Sequence, residues 1–152
     1  MVDAMTCHLA ISSSLLHPTP QGIQLCFEEH GIKRAMEIDD QHMTALHTLS
    51  ANPHVTGGNI RAFLQLAPDS VANVQDATGK TGLHILCSLP YQNTFTGDAI
   101  RSYLSSAPET AANVEDSNGK TPFQYLWESD ATFLLEDRNF STLMTWWYNC
   151  MP

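Results

Sequence analysis

Basic side chains are scarce. Lys and Arg number seven against sixteen Asp and Glu, for a net charge of −9 at pH 7. Nucleic acid and anionic membrane both call for clustered cations. The seven here are scattered along the chain, so neither is expected as a partner. A protein with a basic or neutral surface is easier to accommodate. Long apolar runs are also missing: nothing approaches the roughly 18 residues that cross a bilayer. The first stretch, MVDAMTCHLAISSSLLHP, does not read as a secretory leader. It has no cationic start, Asp3 and His8 interrupt it, and three serines break the apolar part. Cysteine is sparse and dispersed, at positions 7, 26, 87 and 150, with no CxxC. A small disulfide scaffold would be denser. The four read as reduced thiols of a cytoplasmic or nuclear protein, packed as small apolar groups.

Motifs of known chemistry are missing as well. There is no HExxH, no Cys/His cluster at zinc spacing, no GxSxG and no complete phosphate loop. TGKT at 78–81 echoes the tail of a phosphate loop, but SNGKT repeats it forty residues later without the preceding glycines. A turn followed by a helix cap explains both. No residue is assigned to catalysis, to a metal or to a cofactor, and an enzyme is not expected.

What is present is repetition. Apolar residues make up 43% and charged residues 15%, the balance of a globular domain. When residues 60–89 are laid on 100–129, thirteen of thirty positions are identical, where chance gives roughly two. A shift of 37 lays 39–53 on 76–90, sharing Asp39, Thr44, Leu46, His47, Leu49 and Pro53. The three extra residues fall near 93–96, as an inserted loop would. The chain thus divides into four units, 1–38, 39–75, 76–115 and 116–152, within a single domain of 152 residues. The end units are degenerate, as the ends of stacked arrays are.

The third and fourth units open on Asp-x-x-Gly, a turn in which the carboxylate accepts main-chain N–H groups and glycine takes a positive φ. His42 stands where Gly79 and Gly119 stand, and histidine is among the residues that tolerate that conformation. Thr-x-x-His or Thr-x-x-Gln follows, a cap that starts a helix, with Pro122 placed where a missing N–H costs nothing. This first helix is expected at about 45–52, 82–89 and 122–129, with Leu46/Leu49, Leu83/Leu86 and Phe123/Leu126 on its buried stripe. A second helix, capped by Asn59, Asp98 and Asn139, would bury Ile60/Phe63/Leu64, Ile100/Tyr103/Leu104 and Phe140/Leu143/Met144. Pro68 and Pro108 stop it, and a short turn with an extended return leads to the next Asp. Helix pairs this short cannot bury their stripes alone; side by side they share one core.

DATGKTGLHILC and DSNGKTPFQYLW resemble the ankyrin signature D-x-x-G-x-T-P-L-H-x-A, and DDQHMTALHTLS keeps Asp39, Thr44, Leu46 and His47. The resemblance covers about residues 23–129. The period of 37–40 exceeds the family's 33. The glycine after the first helix is missing, and the alanine of the signature is Leu49, Leu86 or Leu126. The resemblance implies an all-α, ankyrin-like α-solenoid of about four helix-turn-helix repeats. It also implies a non-catalytic scaffold that binds a protein on the concave face made by the turn tips and the first helices. The positions that vary inside the repeated frame then carry specificity: Asp40, Gln41 and Met43; Ala77, Thr78, Lys80 and Ile85; Ser117, Asn118, Lys120 and Tyr125. Tyr125 is the expected anchor, as a large aromatic on the open side of its helix; a packing role against the neighbouring unit is the other reading.

His47 and His84 take the slot that Gln124 fills in the next unit. Such interchange suits a capping side chain and not a metal ligand or a general base. The C-terminal FSTLMTWWYNCMP leaves two readings open: Trp146 and Tyr148 close the end of the core, or they form an aromatic patch for a partner or for self-association. A pocketed, small-molecule or catalytic helical stack and a self-assembling structural element are the competing functional classes.

Overall fold

A computed structural model describes residues 17–89 and 94–128, and every regular element among them is helical. The α-helices are α1 (Pro20–His30), α2 (Ala45–Ala51), α3 (Gly57–Leu66), α4 (Gly82–Ser88), α5 (Thr94–Ser106) and α6 (Pro122–Glu128). Short 3-10 helices follow α1, α3 and α5, at Ile32–Met36, Asp69–Asn73 and Glu109–Ala112. No helix among the described residues is long and apolar enough to cross a membrane.

The helix starts follow local chemistry. Thr19 accepts the N–H of Gly22 ahead of Pro20, which opens α1. Thr44 with His47 and Thr81 with His84 form capping boxes for α2 and α4. The first helix of each described pair therefore lies where the repeat predicts it. The expected second-helix caps are corrected. Helix α3 starts after Thr56, and Asn59 is its third residue, completing a capping box with Thr56. Asp98 lies inside α5, which begins four residues earlier. Its carboxylate sits against the first residue of α3, where a β-carbon on Gly57 would collide with Oδ2. A carboxylate there suits the positive end of that helix. Asn139, Phe140, Leu143 and Met144 lie outside the described residues.

Helices α2, α4 and α6 contact one another in sequence, and α1, α3 and α5 do the same. The core lies between these two rows. Leu46, Leu49, Leu83, Leu86, Ile60, Phe63, Ile100 and Tyr103 are fully buried, each apolar side chain of this size contributing about 1.5–3 kcal/mol. Phe123, Leu126 and Leu104 are partly buried against them. Phe27 meets Phe63 edge-on with ring centroids 5.1 Å apart. The Tyr103 hydroxyl donates to the carbonyl of Ala72 at 3.0 Å, which satisfies its one polar atom in an apolar setting. Pro68 and Pro108 each follow the end of a long helix, as expected, but the segments after them are not simple turns. They wind through one 3-10 helix before extending.

Cys87 is a fully buried thiol, and burial pushes its ionisation up. Cys26 is disulfide-bonded, which overturns the expectation of four reduced thiols and removes the thiol-based ground for a reducing compartment.

Candidate functional site

Three turns of one design lie along one edge of the molecule. In the first, Asp39 Oδ1 accepts the N–H groups of Gln41 and Met43 at 2.8 and 2.9 Å. In the second, Asp76 Oδ1 accepts those of Thr78 and Lys80 at 2.8 and 3.0 Å, together with the Thr78 hydroxyl. In the third, Asp116 Oδ1 accepts those of Asn118 and Lys120 at 2.8 and 3.0 Å. Each aspartate N–H donates to the carbonyl four residues on, at Met43, Lys80 and Lys120. The fourth residue of each turn has a positive φ: 59° at His42, 79° at Gly79 and 69° at Gly119. The reading of His42 as a residue held in the glycine conformation is thus correct.

The turns are joined to one another. The N–H of Ala77 donates to the carbonyl of Gln41 at 3.0 Å, and that of Ser117 to the carbonyl of Thr78 at 3.1 Å. Gln75 Nε2 donates to the carbonyls of Gly79 and Glu115, at 2.6 and 2.8 Å. The buried histidines add a second tie. The Thr44 N–H donates to His47 Nδ1 at 3.0 Å, so the proton is on Nε2, which donates to the carbonyl of Lys80 at 2.9 Å. His84 repeats this with the Thr81 N–H at 3.1 Å and the carbonyl of Lys120 at 3.0 Å. Gln124 takes the same place in the third turn, its Oε1 accepting the Thr121 N–H at 2.7 Å. Burial holds both imidazoles below their ordinary ionisation range, against the opposing pull of the carbonyls and of nearby carboxylates.

The positions marked by the sequence are brought to this edge. Asp40, Gln41, Ala77, Thr78, Ser117 and Asn118 are exposed at the tips. Met43, Lys80, Ile85, Lys120 and Tyr125 are half-buried beside them. Trp146 and Tyr148 lie outside the described residues. Tyr125 is more engaged than an open anchor. Its hydroxyl donates to Asp116 Oδ2, its ring meets His84 edge-on at 6.1 Å, and Lys80 Nζ and Lys120 Nζ lie 4.6 and 5.4 Å from its centroid. Lys120 is also bound by both oxygens of Glu128, at 2.9 and 2.6 Å. Burial pushes the Asp116 carboxyl up, but the Tyr125 hydroxyl and the N–H groups of Lys120 and Asn118 outweigh it and hold the group well below the usual carboxylate range. Asp76 is lowered in the same way, burial being overcome by the Thr78 hydroxyl and the N–H groups of Lys80 and Thr78.

The aspartate oxygens that accept these N–H groups are therefore consumed inside the turns. What the edge offers outward is the set of tip side chains and the lysine-flanked face of Tyr125. Among the described residues, no three His, Cys, Asp or Glu side chains are grouped to hold a metal ion. No protein-family model matches the chain, and no curated protein matches it.

Proposed function

We propose that the chain is a divergent ankyrin-like α-solenoid serving as a non-catalytic protein-interaction module, with its partner seated on the turn tips and the exposed sides of α2, α4 and α6. The observation that carries this reading is the contrast within the three turns. The hydrogen bonds that build and join them are the same in each turn, while the outward side chains differ: Asp40 and Gln41, then Ala77 and Thr78, then Ser117 and Asn118. A frame fixed from within leaves its tips free to vary, because exposed substitutions cost little, about 0.5 kcal/mol or less. The large half-buried aromatic between two lysines supplies the kind of anchor that dominates protein interfaces. A protein with a basic or neutral surface is the proposed partner, in keeping with the net charge of −9.

Site-specific photo-cross-linking tests the placement. A cross-linker at Thr78 or Asn118 captures the partner, and one at Gln65, exposed on α3 in the other row, does not. Capture from Gln65 with none from the tips moves the interface to the opposite face and rejects this assignment.

A further inference from the structure

The two buried histidines do more than start helices. Each ring is used at both nitrogens, and the two nitrogens serve different units. At Nδ1 the ring accepts the N–H of its own threonine cap and also meets that threonine's hydroxyl, at 2.8 Å for His47 and 2.9 Å for His84. At Nε2 it donates to a carbonyl of the following turn, 33 residues on for His47 and 36 for His84. Only the neutral imidazole with its proton on Nε2 can do both. A second proton would occupy Nδ1, turn that nitrogen into a donor, and set it against the donor N–H of Thr44 or Thr81. A protonated Nδ1 can still donate to the threonine hydroxyl beside it, but both rings are buried, with relative exposure of 0%, so the displaced N–H has no water to turn to and that bond of the cap is lost.

We propose that His47 and His84 form an acid-sensitive latch that holds the turn strip in register at neutral pH and opens as the medium acidifies. The charged groups facing each ring set its threshold. His47 lies near Asp39 of its own turn and Asp76 of the next. His84 lies near Asp76, Asp116 and Lys80, with the Tyr125 ring against its edge. The carboxylates favour the proton and Lys80 opposes it, but burial outweighs both sets. The protonated form is thus favoured once the strip opens. The direction follows: each histidine gives its full contribution above the ordinary imidazole range, near pH 6.5, and loses it as pH falls toward the lowered folded-state range. The third turn carries its own control. Gln124 accepts the Thr121 N–H just as the histidines accept theirs, and an amide does not titrate. The latch stands on this geometry whether or not the strip binds a partner.

Amide hydrogen exchange between about pH 7.5 and pH 5, a span that brackets the imidazole range, tests the latch. Protection factors of the strip amides, among them Ala77 and Ser117, should hold level down to about pH 6.5 and below it fall about tenfold per pH unit for each histidine that takes its proton only on opening. The H47Q/H84Q variant should keep the fold and lose most of that dependence. A wild-type strip whose protection is flat over this range, or rises on acidification, overturns the proposal. So does an H47Q/H84Q protein with an unchanged pH slope. Should that variant fail to fold, nitrogen-15 NMR of the wild-type rings still decides. Neutral Nε2–H tautomers at neutral pH that give way to the doubly protonated form with loss of strip protection support the latch. Rings already doubly protonated at neutral pH overturn it.

Discussion

The main-chain N–H of Ser117 donates to the carbonyl of Thr78 at 3.1 Å, so the third turn rests on the second through the backbone itself. The same bond joins Ala77 to Gln41 one unit earlier. Main-chain groups do not change with the side chain, which is why the tips can differ while the spacing between turns persists. The strip is thus a scaffold whose geometry is set by aspartate, by the positive-φ position and by the buried cap residue, and whose outward chemistry is set by everything between them.

The positive-φ position gives a graded prediction. His42, Gly79 and Gly119 share one backbone conformation, and a β-carbon there costs about 1–2 kcal/mol. His42→Gly should raise stability by about 0.5–1 kcal/mol once the added freedom of the unfolded chain is counted. Gly119→Ala should lower it by about 1 kcal/mol, because a β-carbon there meets nothing within 4 Å. Gly79→Ala should cost more than Gly119→Ala, since its β-carbon would lie 2.5 Å from the Ser117 nitrogen at the junction of two turns. Denaturant midpoints of the three variants check the order. Equal losses at Gly79 and Gly119 would mean that the junction yields freely.

Cysteine chemistry gives a second test. Cys87 is a fully buried thiol, and Cys26 is disulfide-bonded. In the folded protein a maleimide should leave both unmodified. Denaturation without reductant should expose Cys87 alone of these two, and Cys26 should react only after reduction. Peptide mapping by mass spectrometry reads this directly. Cys26 labelled without reductant would restore the expectation of reduced thiols.

The outcome at individual residues shows what a single sequence can carry. The turn, the threonine cap and the residue three places on are local, so the starts of α2, α4 and α6 were legible, as was the conformation of His42. The starts of α3 and α5 were not. Asn59 is a good capping residue, but it serves as the third residue of a box whose cap is Thr56; the pattern Thr-Gly-Gly-Asn held that signal. Asp98 has the side chain and the repeat position of a cap, yet its carboxylate answers to the start of α3 in the preceding unit. The second contact of each histidine, to Lys80 and Lys120, is a long-range bond to a main-chain carbonyl, and no spacing rule announces it. The ties between tips were hidden for the same reason. The engagement of Tyr125 with Asp116 was missed because both ends lie in one unit, where a turn residue and a helix residue meet only once the turn is folded.

Tyr125 joins the frame to the proposed interface, and two substitutions separate its parts. Tyr125→Phe removes the hydroxyl that donates to Asp116 and keeps the ring between Lys80 and Lys120. A hydrogen bond to a charged group contributes about 1.5–3 kcal/mol when buried; this ring is half-exposed, so a loss of about 0.5–1.5 kcal/mol is expected. The loss should shrink in acid, because the carboxylate that receives the hydroxyl is then neutralised. Asp116 is held below the usual carboxylate range partly by this hydroxyl, so it adds stability that is present above about pH 4 and fades as pH falls through its folded-state range. With the hydroxyl gone, the folded-state range of Asp116 lies closer to the ordinary one, so the fading should end at a higher pH and remove less stability. Tyr125→Ala should lower the melting temperature further, since the contacts with His84 and both lysines go as well. At a temperature where all three proteins are folded, Tyr125→Ala should weaken partner binding by at least about 1 kcal/mol, roughly fivefold, and Tyr125→Phe should leave it nearly unchanged. Titration calorimetry with the cross-linked partner, once identified, measures both. If Phe weakens binding as much as Ala, the partner reads the turn that the hydroxyl orders and not the ring, and Tyr125 is a residue of the frame.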